Sequence, residues 1–373
     1  MRAWNKTTCA AGRRKALRGN GGVVDAAQVV LFRSLRHGGR RGGPALVVGG
    51  ALLLGACGSG GRPQDTFDPE GPVARQLDDL VRPVGVIAGL VLVLVLGLVT
   101  YCAIRFRRRS DDEAPVQVHG NARAELGWTI APAAILAVTG VFTVATVFDI
   151  NEVPTGPDVV EVTVTGHQWW WEYEYPGLGV TTANEMHIPV GRKVAVTLLS
   201  DDVVHSFWPP KLAGKVDVIP NRTNKMVIEA DKPGIYYGQC AEFCGLSHAN
   251  MKLRVVAHPE AEYQKWLTAN ARPAVLPDAE ANPEAAAGAA LFRIRGCASC
   301  HTVQGYSAGE LGPNLTHLQQ REVFAGAMFD LDEKNMRRWL RDPPAEKPGS
   351  LMPDLDLSED DITKLIAYLD TLE

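Results

Sequence analysis

The sequence predicts a multi-domain protein with three fold classes in series: a two-helix transmembrane hairpin, an all-β Greek-key sandwich and a small all-α domain. Three observations carry this. Two apolar runs without a charge, 83–104 and 126–148, lie close together in the first half of the chain. From Asp158 onward hydrophobic residues alternate with polar ones. Beyond a Pro-, Ala- and acid-rich stretch, helix-like segments flank Cys297-Ala298-Ser299-Cys300-His301 and close the chain. A chain of 373 residues has room for two or three such domains. Bulk composition does not choose among them, since 46% hydrophobic and 21% charged residues fit soluble and membrane proteins alike.

Residues 1–41 hold ten Lys or Arg and one acid, Asp25. A basic arm for anionic lipid or nucleic acid is one reading. The long n-region of an export signal is the one adopted, so no nucleic-acid partner is expected. The apolar stretch 44–56 is too short to cross a bilayer, which takes about 20 residues. It ends in Leu54-Gly55-Ala56-Cys57, which looks like a bacterial lipoprotein signal cut before a lipidated Cys57. Ordinary cleavage among small residues would explain the cut but not the thiol. Residues 1–56 are thus read as a basic region with a signal peptide. Residues 57–76, rich in Gly, Pro and Asp, are read as a tether.

The hairpin is placed at 77–150. Its two runs, 22 and 23 residues long, each suffice to span the hydrocarbon. Between them lie Arg105-Phe106-Arg107-Arg108-Arg109 and Arg123. Positive residues mark the cytoplasmic side, so both flanking regions are expected outside, on the outer face of a bacterial plasma membrane.

In the next segment Val160, Val162 and Val164 alternate with Glu161, Thr163 and Thr165. Further strand-like runs at 193–199, 225–230 and 252–257 are separated by Pro and Gly clusters, which argues for a sandwich over 158–257. Trp169, Trp170 and Trp171 follow the first strand. Neighbours on a strand point to opposite faces, so all three cannot be buried, and an exposed indole is expected among them. Residues 258–282 are read as a linker that opens on a short amphipathic helix, 261–269. The final domain, 283–373, is acidic, with nine Lys or Arg against fifteen Asp or Glu.

Four of the seven cysteines fall in two tight motifs, while Cys9, Cys57 and Cys102 stand alone, so this is no disulfide framework. In the first motif Cys240 and Cys244 are followed by His248 and Met251, and His205 lies upstream. Thiolate, imidazole and thioether together select copper. A mononuclear blue-copper site needs one Cys, and here there are two. Two thiolates can bridge two copper ions, each capped by a His, with Met251 and a backbone carbonyl between the cysteines as weak ligands. A disulfide or a zinc pair would leave His248 and Met251 at these spacings unexplained. A cupredoxin-like sandwich suits such a site, because its loops converge at one end. The second motif, C-x-x-C-H, is the signature of covalent c-type haem attachment, with His301 as the proximal ligand. Met328, Met336 and Met352 are the candidates for the sixth ligand.

These blocks, with Gly166-His167-Gln168-Trp169-Trp170-Trp171 and His205-Ser206-Phe207-Trp208, resemble subunit II of haem–copper cytochrome c oxidases over roughly 77–257. The tail, with Gly312-Pro313-Asn314-Leu315 after the haem motif, is similar to a class I cytochrome c. Together they look like the caa-type enzymes. The resemblance implies a binuclear CuA centre on His205, Cys240, Glu242 (through its carbonyl), Cys244, His248 and Met251. It implies a haem held by Cys297, Cys300, His301 and Met352, the last sitting in the family's Met-Pro context. It further implies that electrons arrive through Trp169, that the Glu242 carboxylate helps bind a magnesium ion shared with a partner subunit, and that Glu125 lies at the mouth of a proton pathway. The implied partners are subunit I and other oxidase subunits, with cytochrome c or a bc complex as donor. The implied activity is proton-pumping cytochrome c oxidation, with dioxygen reduced on subunit I. A CuA subunit of a nitric-oxide-type reductase and a free-standing membrane-anchored electron carrier are the rivals. Two spans exceed what a carrier's tether needs. Quinol oxidase subunits lack the copper ligands.

Overall fold

The computed structural model describes residues 61–108, 117 and 120–373. The basic region, the signal and Cys57 lie outside the described residues, as does Arg109.

Two long helices come first, α1 (Pro72–Arg105) and α2 (Ala122–Ile150). Both are long and apolar enough to cross a membrane. Asn121 caps α2, its side-chain oxygen accepting from the Arg123 and Ala124 N–H groups. Glu125 Oε1 reciprocates by accepting from Asn121 N at 3.1 Å. The tether expected at 57–76 is corrected: α1 starts inside it, and the residues before α1 are docked on the sandwich. Lys211 Nζ binds Asp68 at 2.8 Å and Glu70 at 2.7 Å, and Glu70 exchanges backbone hydrogen bonds with Lys211 and Asp231. Gly71 permits this approach, since a Cβ there would collide with Glu229 O. Composition suggested mobility, but two acids facing one half-buried lysine hold the segment down.

The sandwich is formed by β1 (Val160–His167), β2 (Trp170–Tyr175), β3 (Val180–Ala183), β4 (Glu185–Pro189), β5 (Val194–Ser200), β6 (His205–Trp208), β7 (Val216–Val218), β8 (Asn224–Ile228), β9 (Gly234–Cys240) and β10 (Lys252–His258). One sheet runs β3-β2-β1-β5-β8 and the other β4-β10-β9-β6-β7. The alternation in β1 has its expected effect: Val160, Val162 and Val164 point into the core and Glu161 points out. Helix α3 (Glu260–Asn270) follows β10. The sequence placed it in a linker, but Tyr263 and Trp266 are buried in the sandwich core. Its large aromatics have apolar area to lose only on that face.

The C-terminal domain contains α4 (Pro283–Ile294), α5 (Glu333–Arg341), α6 (Pro343–Glu346) and α7 (Glu359–Leu369). The all-α expectation is refined by two short ladders, Thr302–Val303 with Ser307–Ala308 and Val323–Phe324 with Phe329–Asp330. Helices α4 and α7 cross at Gly288, where a Cβ would run into Lys364 O.

Candidate metal centre and the cavity beside it

The sandwich assembles its polar cluster from three strand ends. Strand β6 begins with His205 and β9 ends with Cys240, while Met251 immediately precedes β10. The turn 241–250 carries Cys244 and His248 between them. Ladder bonds pin this turn, with Cys240 N donating to Met251 O at 2.8 Å and Ala241 N to Ser206 O at 2.9 Å. Cys240 Sγ lies 3.8 Å from Cys244 Sγ, 3.9 Å from His205 Nδ1 and 3.2 Å from Glu242 O. Cys244 Sγ lies 3.5 Å from His248 Nδ1 and 3.9 Å from Met251 Sδ. All six candidate ligands are therefore together. The sulfurs are too far apart for a disulfide, which needs about 2.05 Å. His205, Cys240 and Cys244 are buried and near enough to share an ion. Two thiols, two imidazoles and a thioether in a largely buried site fit soft copper ions.

Sequence reasoning missed Asp202. Its Oδ1 accepts from His205 Nε2 at 2.7 Å, which turns Nδ1 toward the thiols. The carboxylate also accepts from the Gln168 and Val203 N–H groups. A carboxylate behind a histidine ligand fixes its tautomer. Burial opposes a charge on His205, but its bonds to Asp202 and Cys240 prevail and raise its pKa. Those same two bonds hold the imidazole in place. The thiols are split by the hydrogen bond between them. The contact with Cys244, helped by His205, pulls Cys240 down. The same contact, with burial, pushes Cys244 up.

Beside this cluster the C-terminal domain encloses a cavity of about 460 Å³. Cys297, Cys300 and His301 lie at its wall, with Leu315, Phe324, Trp339 and Leu340 among its apolar lining. His301 Nδ1 donates to Pro313 O at 2.9 Å, which leaves Nε2 free for a metal. Burial lowers the His301 pKa, which favours the neutral imidazole such a bond requires. Gly312 makes room for the ring, since a Cβ there would come within 2.6 Å of it. A cysteine pair, a backed imidazole and an apolar hollow together fit a haem. Met352 and Met336 both line the cavity, whereas Met328 is not among the lining residues.

Trp169 requires a correction. The indole expected to be exposed is buried, because the C-terminal domain covers it. Its Nε1–H donates to Cys244 O at 3.0 Å, and Gln168 Nε2 donates to the same carbonyl at 2.7 Å. The indole also lines the cavity. Trp171 is buried in the core, and Trp170 stacks on His167 at 4.2 Å. The Glu242 side chain points elsewhere and comes 3.9 Å from Lys215 Nζ.

Polar contacts join the two domains around Trp169. Lys347 Nζ donates to Trp169 O at 2.6 Å, Ser247 Oγ to Pro348 O at 2.6 Å, and Lys252 N to Gly326 O at 2.9 Å. Arg254 pairs with Glu322 and Asp330. Buried Arg321 donates to Thr182 Oγ1, and burial pulls its pKa down to about 10. Buried Glu185 accepts from Glu322 N, and burial pushes its pKa up to about 7.

Comparison with known proteins agrees with this layout. The family model for the periplasmic domain of cytochrome c oxidase subunit II matches residues 178–258, and that for its transmembrane domain matches 65–145. The cytochrome c family model matches 285–373. Cytochrome c oxidase subunit 2 of Alkalihalophilus pseudofirmus is 38% identical over 314 residues, which are 82% of this chain and 90% of that protein. Its counterpart from Bacillus sp. strain PS3 is 36% identical over 346 residues, 87% of this chain and 95% of that protein. The solved periplasmic domain of cytochrome oxidase subunit II of Bradyrhizobium japonicum is 32% identical, covering 32% of this chain and 96% of that one with a TM-score of 0.30. The chain belongs to the cytochrome c oxidase subunit II family and carries a cytochrome c domain at its C-terminal end.

Proposed function

We propose that this chain is the electron-accepting subunit of a proton-pumping haem–copper cytochrome c oxidase, taking electrons at its own covalently bound haem c and delivering them through CuA to subunit I. The juxtaposition at Trp169 carries the reading: one indole bonds the Cys244 carbonyl and lines the cavity beside Cys297, Cys300 and His301. When bound, the two metal groups supply reversible one-electron chemistry at fixed potentials. The protein does the rest. Cys297 and Cys300 would anchor the haem and His301 and Met352 would ligate its iron, while the apolar wall excludes water. His205, Cys240, Glu242 O, Cys244, His248 and Met251 would hold the copper pair, with Asp202 orienting His205. The Glu242 carboxylate, turned away from the thiols and 3.9 Å from Lys215 Nζ, would help bind a magnesium ion shared with a partner subunit. Glu125, at the basic end of the hairpin, would serve at the mouth of a proton pathway. Both folded domains lie on the outer face of a bacterial plasma membrane, with Cys57 lipidated and a respiratory-chain cytochrome c or bc complex as donor.

Optical and EPR spectra of the purified complex test this. The expected outcome is co-purification with a multi-span haem subunit, two copper ions per chain sharing one unpaired electron, and a haem that stays attached on denaturation. A four-line mononuclear copper signal, or a chain purified alone, would overturn it. Met352→Ala is expected to keep the haem attached and lower its potential. An unchanged potential would move the sixth ligand to Met336.

A further inference from the structure

Lys347 is almost completely buried, at 4% exposure. Lysine is rarely so buried unless it is paired. Among the described residues no carboxylate pairs with it. Its amine instead donates to two carbonyls, Trp169 O in the sandwich at 2.6 Å and Ala325 O in its own domain at 2.7 Å. Burial pulls its pKa down to about 7. One of the amine's two acceptors lies in its own domain and the other across the interface, so both of these bonds form only when the two domains are docked.

The surroundings are shaped to receive it. A Cβ at Gly326 would fall 2.5 Å from Lys347 Nζ and 2.6 Å from Trp169 O, and one at Gly349 would fall 2.5 Å from the Trp169 ring. Both glycines have positive φ, +78° and +86°, so the backbone itself closes over the indole. The next residues lead to Met352 on the cavity wall.

Building on the proposed electron route, we infer that Lys347 is the positioning residue that pins the cytochrome domain over Trp169. One contact then does two things: it holds the tethered haem against the indole that touches the Cys244 carbonyl, and it closes that indole to every other donor. The step it serves would be a one-electron transfer between the groups these residues would hold, in which no bond forms or breaks and no proton moves.

Lys347→Met keeps the length of the side chain and removes its donors. Reduced mitochondrial cytochrome c serves as the external donor in stopped flow with the full chain. In the unmodified protein, reduction of copper should lag behind reduction of the haem, since the indole is covered by the cytochrome domain. In Lys347→Met the lag should vanish, because copper is reached directly, while haem-to-copper transfer after flash reduction should slow at least about tenfold, one decade per 1.4 kcal/mol of lost docking. A readout free of turnover accompanies this. After cutting at a protease site inserted within 271–282, the unmodified cytochrome domain should stay with the sandwich in gel filtration, and the Lys347→Met domain should come off. An unchanged or longer lag, or a cut domain that stays bound, would overturn the inference. If Lys347→Met does not fold, Arg254→Ala loosens the rim of the same interface and should shift all three measurements in the same direction. Missing copper or haem spectra in the unmodified protein would instead overturn the proposed function.

Discussion

The ligand cluster of the sandwich and the cavity of the cytochrome domain prepare for their groups in opposite ways. In the sandwich, donors from His205 to Met251 already stand within 3.9 Å of their neighbours, held by ladder bonds and by Asp202. In the cytochrome domain, Cys297, Cys300, His301 and Met352 surround about 460 Å³ of space. A small ion needs a few donors converging on one point. A haem needs a whole apolar wall, and its contacts spread over much of the domain.

The largest expected effect follows from that difference. Folded domains are only marginally stable, so losing the contacts of so large a group is expected to cost a sizeable share of this domain's stability. The double variant Cys297→Ser, Cys300→Ser should therefore lose the helical circular dichroism of residues 283–373 and expose them to protease, while the sandwich stays folded. A haem-free domain that kept its protection would break the comparison. Next, Cys240→Ser should abolish the two-copper EPR signal yet leave the sandwich's melting temperature within a few degrees, because Val162, Ile188, Val196 and many other buried side chains pack its core. Asp202→Asn should be milder. The loss of an outer carboxylate typically weakens metal affinity about 10–100-fold, readable by competition with a chelator.

The smallest effect concerns the surface between the two regions. Glu185 has a folded pKa of about 7 against 4.5 for the free side chain. Between those values the folded protein binds a proton that the unfolded chain does not. Its contribution is thus full below the unfolded value and is lost as pH rises through 7, at up to about 1.4 kcal/mol per pH unit. Melting curves at pH 5, 6, 7 and 8 should fall more steeply with pH for the unmodified protein than for Glu185→Gln. Parallel pH dependences would refute the assignment.

Motifs that act within one loop were legible in the sequence. Cys240, Cys244, His248 and Met251 are fixed by ligand type and spacing, as are Cys297, Cys300 and His301, and neither set needs knowledge of the rest of the chain. What escaped depends on distant partners. Lys347 stands in Pro343-Pro344-Ala345-Glu346-Lys347-Pro348, which looks like any solvated loop, and its acceptor is 178 residues away. Trp169 is buried by glycines of the other domain, which no strand period encodes. Asp202 did carry a readable signal, an acid three residues before a metal-binding histidine, as did Trp266, a large aromatic on an amphipathic helix. The short edge strands β3, β4 and β7 lacked enough alternating residues to stand out.

The docked segment ahead of α1 has a mechanical consequence. Because Glu70 and Gly71 are clamped to the sandwich, and Arg75 pairs with Asp231 one turn later, no slack separates the sandwich from its first membrane helix. The helix then behaves as a threaded rod. Each residue inserted between Arg75 and the apolar run at Pro83 would raise the metal centre by about 1.5 Å and swing it by about 100°. A single insertion there should misalign the centre with whatever lies beneath it more severely than a loop of many residues added within 271–282.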